Sequence, residues 1–237
     1  MGRNNYFQFK QFRIEQHRSA MKVGIDGVLL GAWADVRGCN TILDIGTGTG
    51  LITLMLAQRS KAQITAIEIE KNAAEEAAEN VAASPWGNQV DVRNVSLQKF
   101  AAETTSHFDL IVSNPPFFRN SLKAGDKNRS LARHTDSLPL EVLIEAVARL
   151  LSEHGRFSFI LPLQAHNEIE DLARLNGLYL NRKTLVCPNR KKPTNRILIQ
   201  MSKTETVAQT DHLTIYNNDG SWSDTFKRLT EDYYLNF

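Results

Sequence analysis

The sequence predicts an α/β fold of the nucleotide-binding kind, and three observations support this prediction. From residue 41 onward, short apolar runs that are typical of buried strands alternate with helical patterns. A glycine loop, Gly46 to Gly50, follows the first of these runs. The tetrapeptide Asn114-Pro115-Pro116-Phe117 follows the fourth. Strand ends that carry glycines and polar side chains predict a ligand site at one edge of the sheet.

Length and composition are those of an ordered globular chain with one sizeable core. The 237 residues are 42% hydrophobic and 23% charged, and the formal charge of +2 is too small to indicate a nucleic-acid binder. The charges are unevenly placed, however. Basic residues concentrate in two acid-poor stretches, which contain Arg119, Lys123, Lys127, Arg129 and Arg133, and then Arg182, Lys183, Arg190, Lys191, Lys192, Arg196 and Lys203. Acids surround Lys71, namely Glu68, Glu70, Glu75, Glu76 and Glu79. These stretches are either surfaces that orient a polyanion or solvated loops and a solvated helix face.

The cysteines and the amino terminus indicate the compartment. Cys39 and Cys187 form neither a disulfide framework nor a metal site, because no Cys/His group surrounds them. The first residues lack an apolar leader, and no run reaches the length of a membrane helix. We therefore expect a cytoplasmic protein that binds neither a metal nor a membrane. We also expect it to be a monomer.

The elements follow in order along one domain, residues 1–237. It divides into an N-terminal arm and helix (1–37), a core (41–203) and a C-terminal extension (204–237). Aromatic residues within 6–12 predict an amphipathic arm or strand that packs on the main body. Strands are predicted at 41–45, 64–68, 89–95, 107–113, 156–161, 178–186 and 196–201, with a possible one at 213–216. Helices are predicted at 28–34, 51–58, 71–83, 140–151 and 165–175, with a possible one at 223–232. The polar stretch 119–137 predicts a lid or a substrate-binding loop.

The glycine spacing discriminates between two kinds of cofactor. A dinucleotide fingerprint is Gly-x-Gly-x-x-Gly, whereas this loop is Gly46-x-Gly48-x-Gly50 and is preceded by Asp44. A carboxylate here would repel a pyrophosphate and attract the ammonium of an amino-acid moiety. Glu68, about 20 residues beyond the glycines, stands where such folds hold a ribose hydroxyl. The pattern therefore predicts S-adenosylmethionine as the cofactor, with a plain structural turn as the alternative for the glycines alone.

The tip of the fourth strand is suited to a planar amine. Because proline restricts its own φ and the residue before it, Asn114 and the Pro115 carbonyl are held still. Both oxygens can accept hydrogen bonds from one NH2 group, while Phe117 stacks on the ring that carries it. A strand that ends in a proline-rich turn is the alternative for this tetrapeptide by itself.

Together these motifs resemble class I methyltransferases that modify a planar nitrogen. The resemblance is closest to the bacterial tRNA(Val) adenine-N6 methyltransferases, since residues 20–33 (AMKVGIDGVLLGAW) look like the N-terminal signature of that family. Ser84-Pro85-Trp86, Ala132-Arg133-His134 and Tyr233-Tyr234-Leu235 also match, so the similarity covers nearly the whole chain.

This resemblance implies a Rossmann-like class I methyltransferase fold, with a seven-stranded, mostly parallel sheet whose last strand is antiparallel. It implies methylation of N6 of the adenosine 3′ of the anticodon in a tRNA. Asp44, Gly46 and Gly48 should line the methionine part of the cofactor and Glu68 its ribose, with Asn114 beside it. Ser96 stands where many relatives carry an acid for the adenine amine. Lys22 and Asp26 are placed near the cofactor by the resemblance alone.

The substrate side follows from the tip and the basic stretches. Asn114, Pro115 and Phe117 are the expected catalytic residues, and Phe117 also contacts the target base. Arg129, Arg133, Lys191 and Lys192 are expected to hold the RNA backbone. Two alternatives stay open: the same chemistry on guanine N2 of rRNA or on a protein glutamine amide, and an inactive RNA-binding subunit that retains the cofactor.

Overall fold

The computed structural model of the chain describes residues 4–115 and 138–237. Strands and helices alternate through most of this part. In chain order the elements are β1 (Tyr6–Gln8), β2 (Arg13–Glu15), α1 (Ile25–Trp33), β3 (Thr41–Ile45), α2 (Leu51–Arg59), β4 (Gln63–Glu68), α3 (Lys71–Ala82), β5 (Val90–Asn94), α4 (Leu97–Glu103), β6 (Phe108–Ser113), α5 (Leu140–Leu150), β7 (Leu151–Pro162), α6 (His166–Leu175), β8 (Tyr179–Asn189), β9 (Arg196–Ser202), β10 (Gln209–Tyr216) and α7 (Asp224–Thr230). Short 3-10 helices occupy Gly87–Gln89 and Leu163–Ala165.

One large sheet organises these elements. Within residues 4–115 and 138–237 it contains eight strands, in the order β10-β8-β9-β7-β6-β3-β4-β5. β9 runs antiparallel to both its neighbours, whereas all other pairs are parallel. The expected seven strands with an antiparallel last one are therefore confirmed as β3 to β9.

The eighth strand, β10, extends the sheet beyond that expectation. It pairs with β8 from Gln209↔Arg182 to Tyr216↔Asn189. The sequence predicted only a possible strand at 213–216, because the first four residues of β10 are polar and exposed while the apolar alternation is confined to its second half. At an edge, backbone pairing is sufficient to extend a strand without an apolar pattern.

The central strands are buried on both faces, as expected for parallel strands between two layers of helices. On one face Leu43 and Ile111 pack with α4 and α5, and on the other Ile42 and Leu110 pack with α1 and α2. These apolar layers fix the register of the strands, and the register in turn aligns the strand ends.

That alignment produces the carboxyl edge, by which we mean the edge at which β3, β4, β5, β6, β7 and β8 end. Ile45 pairs with Ile67 on one side and with Ser113 on the other, and Ser113 pairs with Phe159. β9 begins at Arg196, opposite Pro162 at the end of β7. The turn of residues 190–195 between β8 and β9 consequently lies at the same edge as the glycine loop.

The N-terminal arm forms an antiparallel hairpin, β1 and β2, that packs on the main body. Phe9, Phe12 and Ile14 are buried against α2 and Tyr233. The Lys10 amide donates to the Tyr233 carbonyl at 2.8 Å, and the Tyr233 hydroxyl donates to the Met55 carbonyl at 3.0 Å. Burial raises the pKa of Tyr233 to about 12. The two ends of the chain therefore meet on the outer face of α2.

None of the helices in the described ranges combines the length and the apolar character that crossing a bilayer requires.

Candidate active site

The glycine loop between β3 and α2 has the conformation that its residues require. Gly46, Gly48 and Gly50 have φ of 74°, 56° and 83°, in the left-handed region that disfavours residues with a Cβ. A Cβ on Gly50 would contact Ala77 of α3 at 3.5 Å. At Gly46 and Gly48, no atom of the described residues lies within 4 Å of such a Cβ. The loop thus packs on α3 at one end and leaves open space beside its first two glycines.

Asp44 lies beneath this loop rather than on its surface. Its side chain is completely buried, and the Thr53 hydroxyl donates to Oδ2 at 2.7 Å. Oδ1 has no hydrogen-bond partner within the part of the chain that the structure describes. Burial raises the pKa of the Asp44 carboxyl to about 6 although the Thr53 and Thr47 hydroxyls oppose the rise. A buried carboxylate with one free oxygen favours a cation close to the loop.

Glu68, the last residue of β4, has its carboxylate fixed by two amides. The Gly48 amide donates to one oxygen and the Glu70 amide to the other, both at 2.9 Å. Each oxygen retains acceptor capacity for a further donor. The protein's own amides therefore orient the carboxylate beside the glycine loop.

Two neighbours of Glu68 were not predicted from the sequence. Ile69 directly follows it and exposes 69% of its surface, which is unusual for a large apolar residue at a strand end. The Asn94 side chain donates to the carbonyls of Glu68 (2.9 Å) and Ile69 (3.0 Å) and holds this corner in place. An apolar residue directly after an acid-ended strand is the signal that could have identified Ile69.

Ser96 lies after β5, at the same edge, and begins α4. Its hydroxyl oxygen accepts from the Lys99 amide at 3.2 Å, so its first role is that of a helix N-cap. A hydroxyl oxygen can accept a second hydrogen bond, and the expected contact with an adenine amine stays a prediction.

Asn114 and Pro115 leave β6 beside the glycine loop. Ile45 and Ser113, the last residues of β3 and β6, are paired. Gly46 and Asn114 directly follow them, so these two residues leave adjacent strands side by side. The Ser113 hydroxyl also donates to the Ile45 carbonyl at 2.9 Å. Asn114 is half-buried and Pro115 buried. Phe117, Arg129 and Arg133, which the sequence assigned to the substrate, lie outside the described residues.

The N-terminal end of α1 forms a wall beside Asn114. A Cβ built on Gly27 would lie 4.0 Å from Asn114 Nδ2 and 3.0 Å from Leu51 Cδ2. Glycine at this position therefore permits the close approach of α1 to Leu51 of α2, next to the strand tip.

Lys22 belongs to a segment that is anchored on α3. The Glu76 carboxylate accepts from the amides of His17 (2.8 Å), Arg18 (2.9 Å) and Ser19 (2.9 Å). Lys22 is itself half-buried, and its Nζ lies 3.4 Å from the Asn4 carbonyl.

Asn80, one turn further along α3, joins this segment to the glycine loop. Its side chain accepts from the Glu15 amide and donates to the carbonyls of Glu15 and Thr49, each at 2.9 Å. The acidic stretch of α3 is thus only partly a solvated face, because Glu76 is completely buried.

Lys191 and Lys192 are exposed in the turn at the carboxyl edge, where the register of β9 places them. The structure therefore brings Asp44, Gly46, Gly48, Glu68, Ser96, Asn114 and this turn to one edge.

Among the described residues, no group of three or more His, Cys, Asp or Glu side chains could hold a metal ion.

These residues fit the predicted cofactor. The buried negative charge of Asp44 beneath the loop would attract the ammonium of S-adenosylmethionine, and the open space beside Gly46 and Gly48 lets a ligand approach the backbone. The fixed carboxylate of Glu68 matches a pair of ribose hydroxyls.

Comparison with known proteins gives a consistent picture. The model of the family described as "Methyltransferase small domain" matches residues 27–172. The chain is similar to the tRNA1(Val) (adenine(37)-N6)-methyltransferase of Trichodesmium erythraeum, with 48% identity over 98% of this chain and 99% of that protein. A protein of the same name from Parabacteroides distasonis is 44% identical over 98% of both chains. A solved 16S rRNA N2 methyltransferase of T. thermophilus, in complex with AdoMet and guanosine, shares the fold with a TM-score of 0.57 and 19% identity, over 85% of this chain and 52% of that one.

Proposed function

Since this chain belongs to the family of tRNA1(Val) (adenine(37)-N6)-methyltransferases, we propose that it methylates the N6 amine of adenosine 37 in tRNA1(Val), using S-adenosylmethionine. The observation that supports this chemistry best is the adjacency of the glycine loop and Asn114 on two paired strands. A methyl donor held by the loop and an amine held by the tip would then be neighbours.

Different residues of the carboxyl edge would bind different parts of the cofactor. S-adenosylmethionine supplies a methyl group on a positively charged sulfur. We assign its methionine part to Asp44, Gly46 and Gly48, and its ribose to Glu68. For the adenine, Ile69 offers an apolar face and Ser96 an acceptor. Lys22 is proposed to lie near the cofactor.

The tip prepares the amine for attack. An adenine amine is a poor nucleophile because its lone pair is delocalised into the ring. The Asn114 side-chain oxygen and the Pro115 carbonyl would accept hydrogen bonds from the two N–H groups of the amine and leave its lone pair directed at the methyl group. Alignment by fixed groups is worth up to roughly 7–11 kcal/mol in well-oriented systems. No general base is assigned, because the methylated amine is acidic and loses its proton readily.

The base must leave its stack in the anticodon loop to reach the tip. We assign the replacement stacking to Phe117, and contacts with the RNA backbone to Arg129, Arg133, Lys191 and Lys192. The same tip could accept guanine N2 or a glutamine amide, but the names of the full-length relatives favour adenine.

The test is methylation of unmodified tRNA1(Val), followed by nucleoside mass spectrometry. We expect N6-methyladenosine in the natural tRNA and none when adenosine 37 is replaced by guanosine. Methyl transfer to that guanosine, or transfer only to a protein substrate, would contradict the proposal.

Asn114→Ala tests the mechanism in single-turnover assays. Loss of one preorganised polar contact costs of the order of 10²–10³ in rate, while calorimetry should show nearly unchanged cofactor affinity. Asn114→Asp keeps an acceptor and should retain partial activity. Asn88→Ala, an exposed amide before β5, is the matched control. Full-rate transfer by Asn114→Ala would show that the tip does not carry the chemistry.

A further inference from the structure

An ion pair connects two segments of the carboxyl edge that are 170 residues apart. Arg196 Nε lies 2.9 Å from Asp26 Oδ2, and both side chains are about two-thirds buried, with 30% and 32% of their surface exposed. Asp26 lies in the first turn of α1 and Arg196 is the first residue of β9. The pair therefore joins the N-terminal helix to the last strand of the core.

On the α1 side, the residue that follows Asp26 lies close to the strand tip. Gly27 follows Asp26, and a Cβ built on Gly27 would lie 4.0 Å from Asn114 Nδ2. The backbone of the first turn of α1 thus lies beside the Asn114 side chain, and a displacement of that turn would change the space available to this side chain.

On the β9 side, the pair lies at the base of the basic turn. The Asn195 amide donates to the Val186 carbonyl at 3.2 Å, and the Leu163 amide donates to the Asn195 carbonyl at 3.3 Å. Arg196 follows directly and faces Pro162 and Val186 in the sheet. The turn that carries Lys191 and Lys192 is thus rigid at the residue that contacts Asp26.

We propose that Asp26 and Arg196 are a positioning pair that holds the basic turn and the Asn114 tip at a fixed separation. An RNA backbone bound by the turn would then present its extruded base at the tip. This inference rests on the proposed function and adds two residues to it. Partly exposed ion pairs contribute little to folding stability, which leaves positioning as the effect to measure.

The experiment compares Asp26→Asn, Arg196→Gln and the reversed pair Asp26→Arg/Arg196→Asp in single-turnover methylation of tRNA at saturating cofactor. We expect each single variant to lower the rate about tenfold, as misplacement of reacting groups does, with cofactor affinity and melting temperature nearly unchanged. The reversed pair should recover much of the lost rate. Asp211→Asn, which breaks the Arg182–Asp211 pair (3.4 Å) between β8 and β10, should behave like the wild type.

Two results would overturn the positioning role. If Asp26→Asn and Arg196→Gln methylate tRNA as fast as Asp211→Asn does, the pair has no positioning role. Loss of tRNA affinity and of its salt dependence in Arg196→Gln alone, with no rescue by the reversed pair, would make Arg196 a direct phosphate contact instead. If the wild type does not methylate tRNA at all, the proposed function fails rather than this inference.

Discussion

The Thr53 hydroxyl donates a 2.7 Å hydrogen bond to Oδ2 of Asp44, while Oδ1 has no partner in the described part of the chain. The Asp44 carboxylate is therefore buried with one of its two oxygens unpaired. Such a group destabilises the protein by itself and becomes favourable when a cation binds nearby. The negative charge of Asp44 should therefore lower the free energy of unfolding and raise the affinity for the cofactor.

We predict that Asp44→Asn changes folding stability in a pH-dependent way and, separately, weakens cofactor binding. Burial raises the carboxyl pKa to about 6 from 3.8, so the folded protein binds the proton more tightly than the unfolded chain. Below about pH 4 both states are protonated and the raised pKa costs nothing. Stability contributed by this group falls as pH rises between about 4 and 6, and above pH 6 the full penalty of roughly 3 kcal/mol is present.

Because asparagine does not titrate, the free energy of unfolding of Asp44→Asn relative to wild type should rise by about 1–3 kcal/mol between pH 4 and pH 8. Chemical denaturation at the two pH values, without added cofactor, measures this difference. At pH 8, S-adenosylmethionine should stabilise the wild type and scarcely affect the variant. A stability difference that is the same at both pH values would contradict the assigned pKa.

A second prediction concerns Asn80, which joins the glycine loop to the N-terminal segment. Asn80→Ala leaves the Thr49 carbonyl and the Glu15 amide without this partner, and we expect a loss of about 1–3 kcal/mol in the free energy of unfolding. Calorimetry should also show cofactor affinity reduced about fivefold, because the loop is less well fixed. Asn176→Ala, which removes one exposed contact with the Leu172 carbonyl, is the control. Unchanged cofactor affinity in a destabilised variant would limit Asn80 to a structural role.

The third prediction tests the apolar face beside Glu68. Ile69→Ser should leave thermal stability nearly unchanged, since the side chain is 69% exposed. If Ile69 covers the adenine of the cofactor, its loss should cost about 1 kcal/mol of binding free energy, or roughly fivefold in affinity. Val207→Ser changes an apolar residue that is 94% exposed elsewhere and should have no effect on binding. Equal affinities for both variants and the wild type would argue against an adenine contact.

The sequence predicted the central sheet well because its signals are local. Buried parallel strands appear in the sequence as short apolar runs, and glycine is favoured where φ is positive. These signals located β3, the glycine loop and β6, which Asn114 directly follows, and the register then brought them together.

Other features depend on partners that are distant in the sequence. Glu76 and Asn80 look like part of a solvated helix face, but they bind the N-terminal segment about 60 residues away. Helix α4 was not predicted, because a seven-residue helix has only three buried residues, Leu97, Phe100 and Ala101, to form a pattern. Such contacts become visible only when the tertiary arrangement is known.

The last prediction concerns the basic turn at the carboxyl edge. Lys191 and Lys192 are both exposed, and the register of β9 places their turn at the edge that carries Asn114. Each lysine that neutralises a phosphate releases counterions, so its removal weakens RNA binding and lowers the slope of log affinity against log salt by about 0.7–0.9. Lys191→Ala/Lys192→Ala should therefore reduce the slope by up to about 1.8 and leave cofactor binding unchanged.

The control removes the same charge from the opposite edge of the sheet. Lys61 precedes β4 and Arg149 precedes β7, and both are exposed. Lys61→Ala/Arg149→Ala makes the same change in net charge without touching the carboxyl edge, so it should shift tRNA affinity only slightly. Filter binding of tRNA at several salt concentrations compares the two double variants. If their slopes are the same, the effect is one of net charge, and the turn does not contact the RNA backbone.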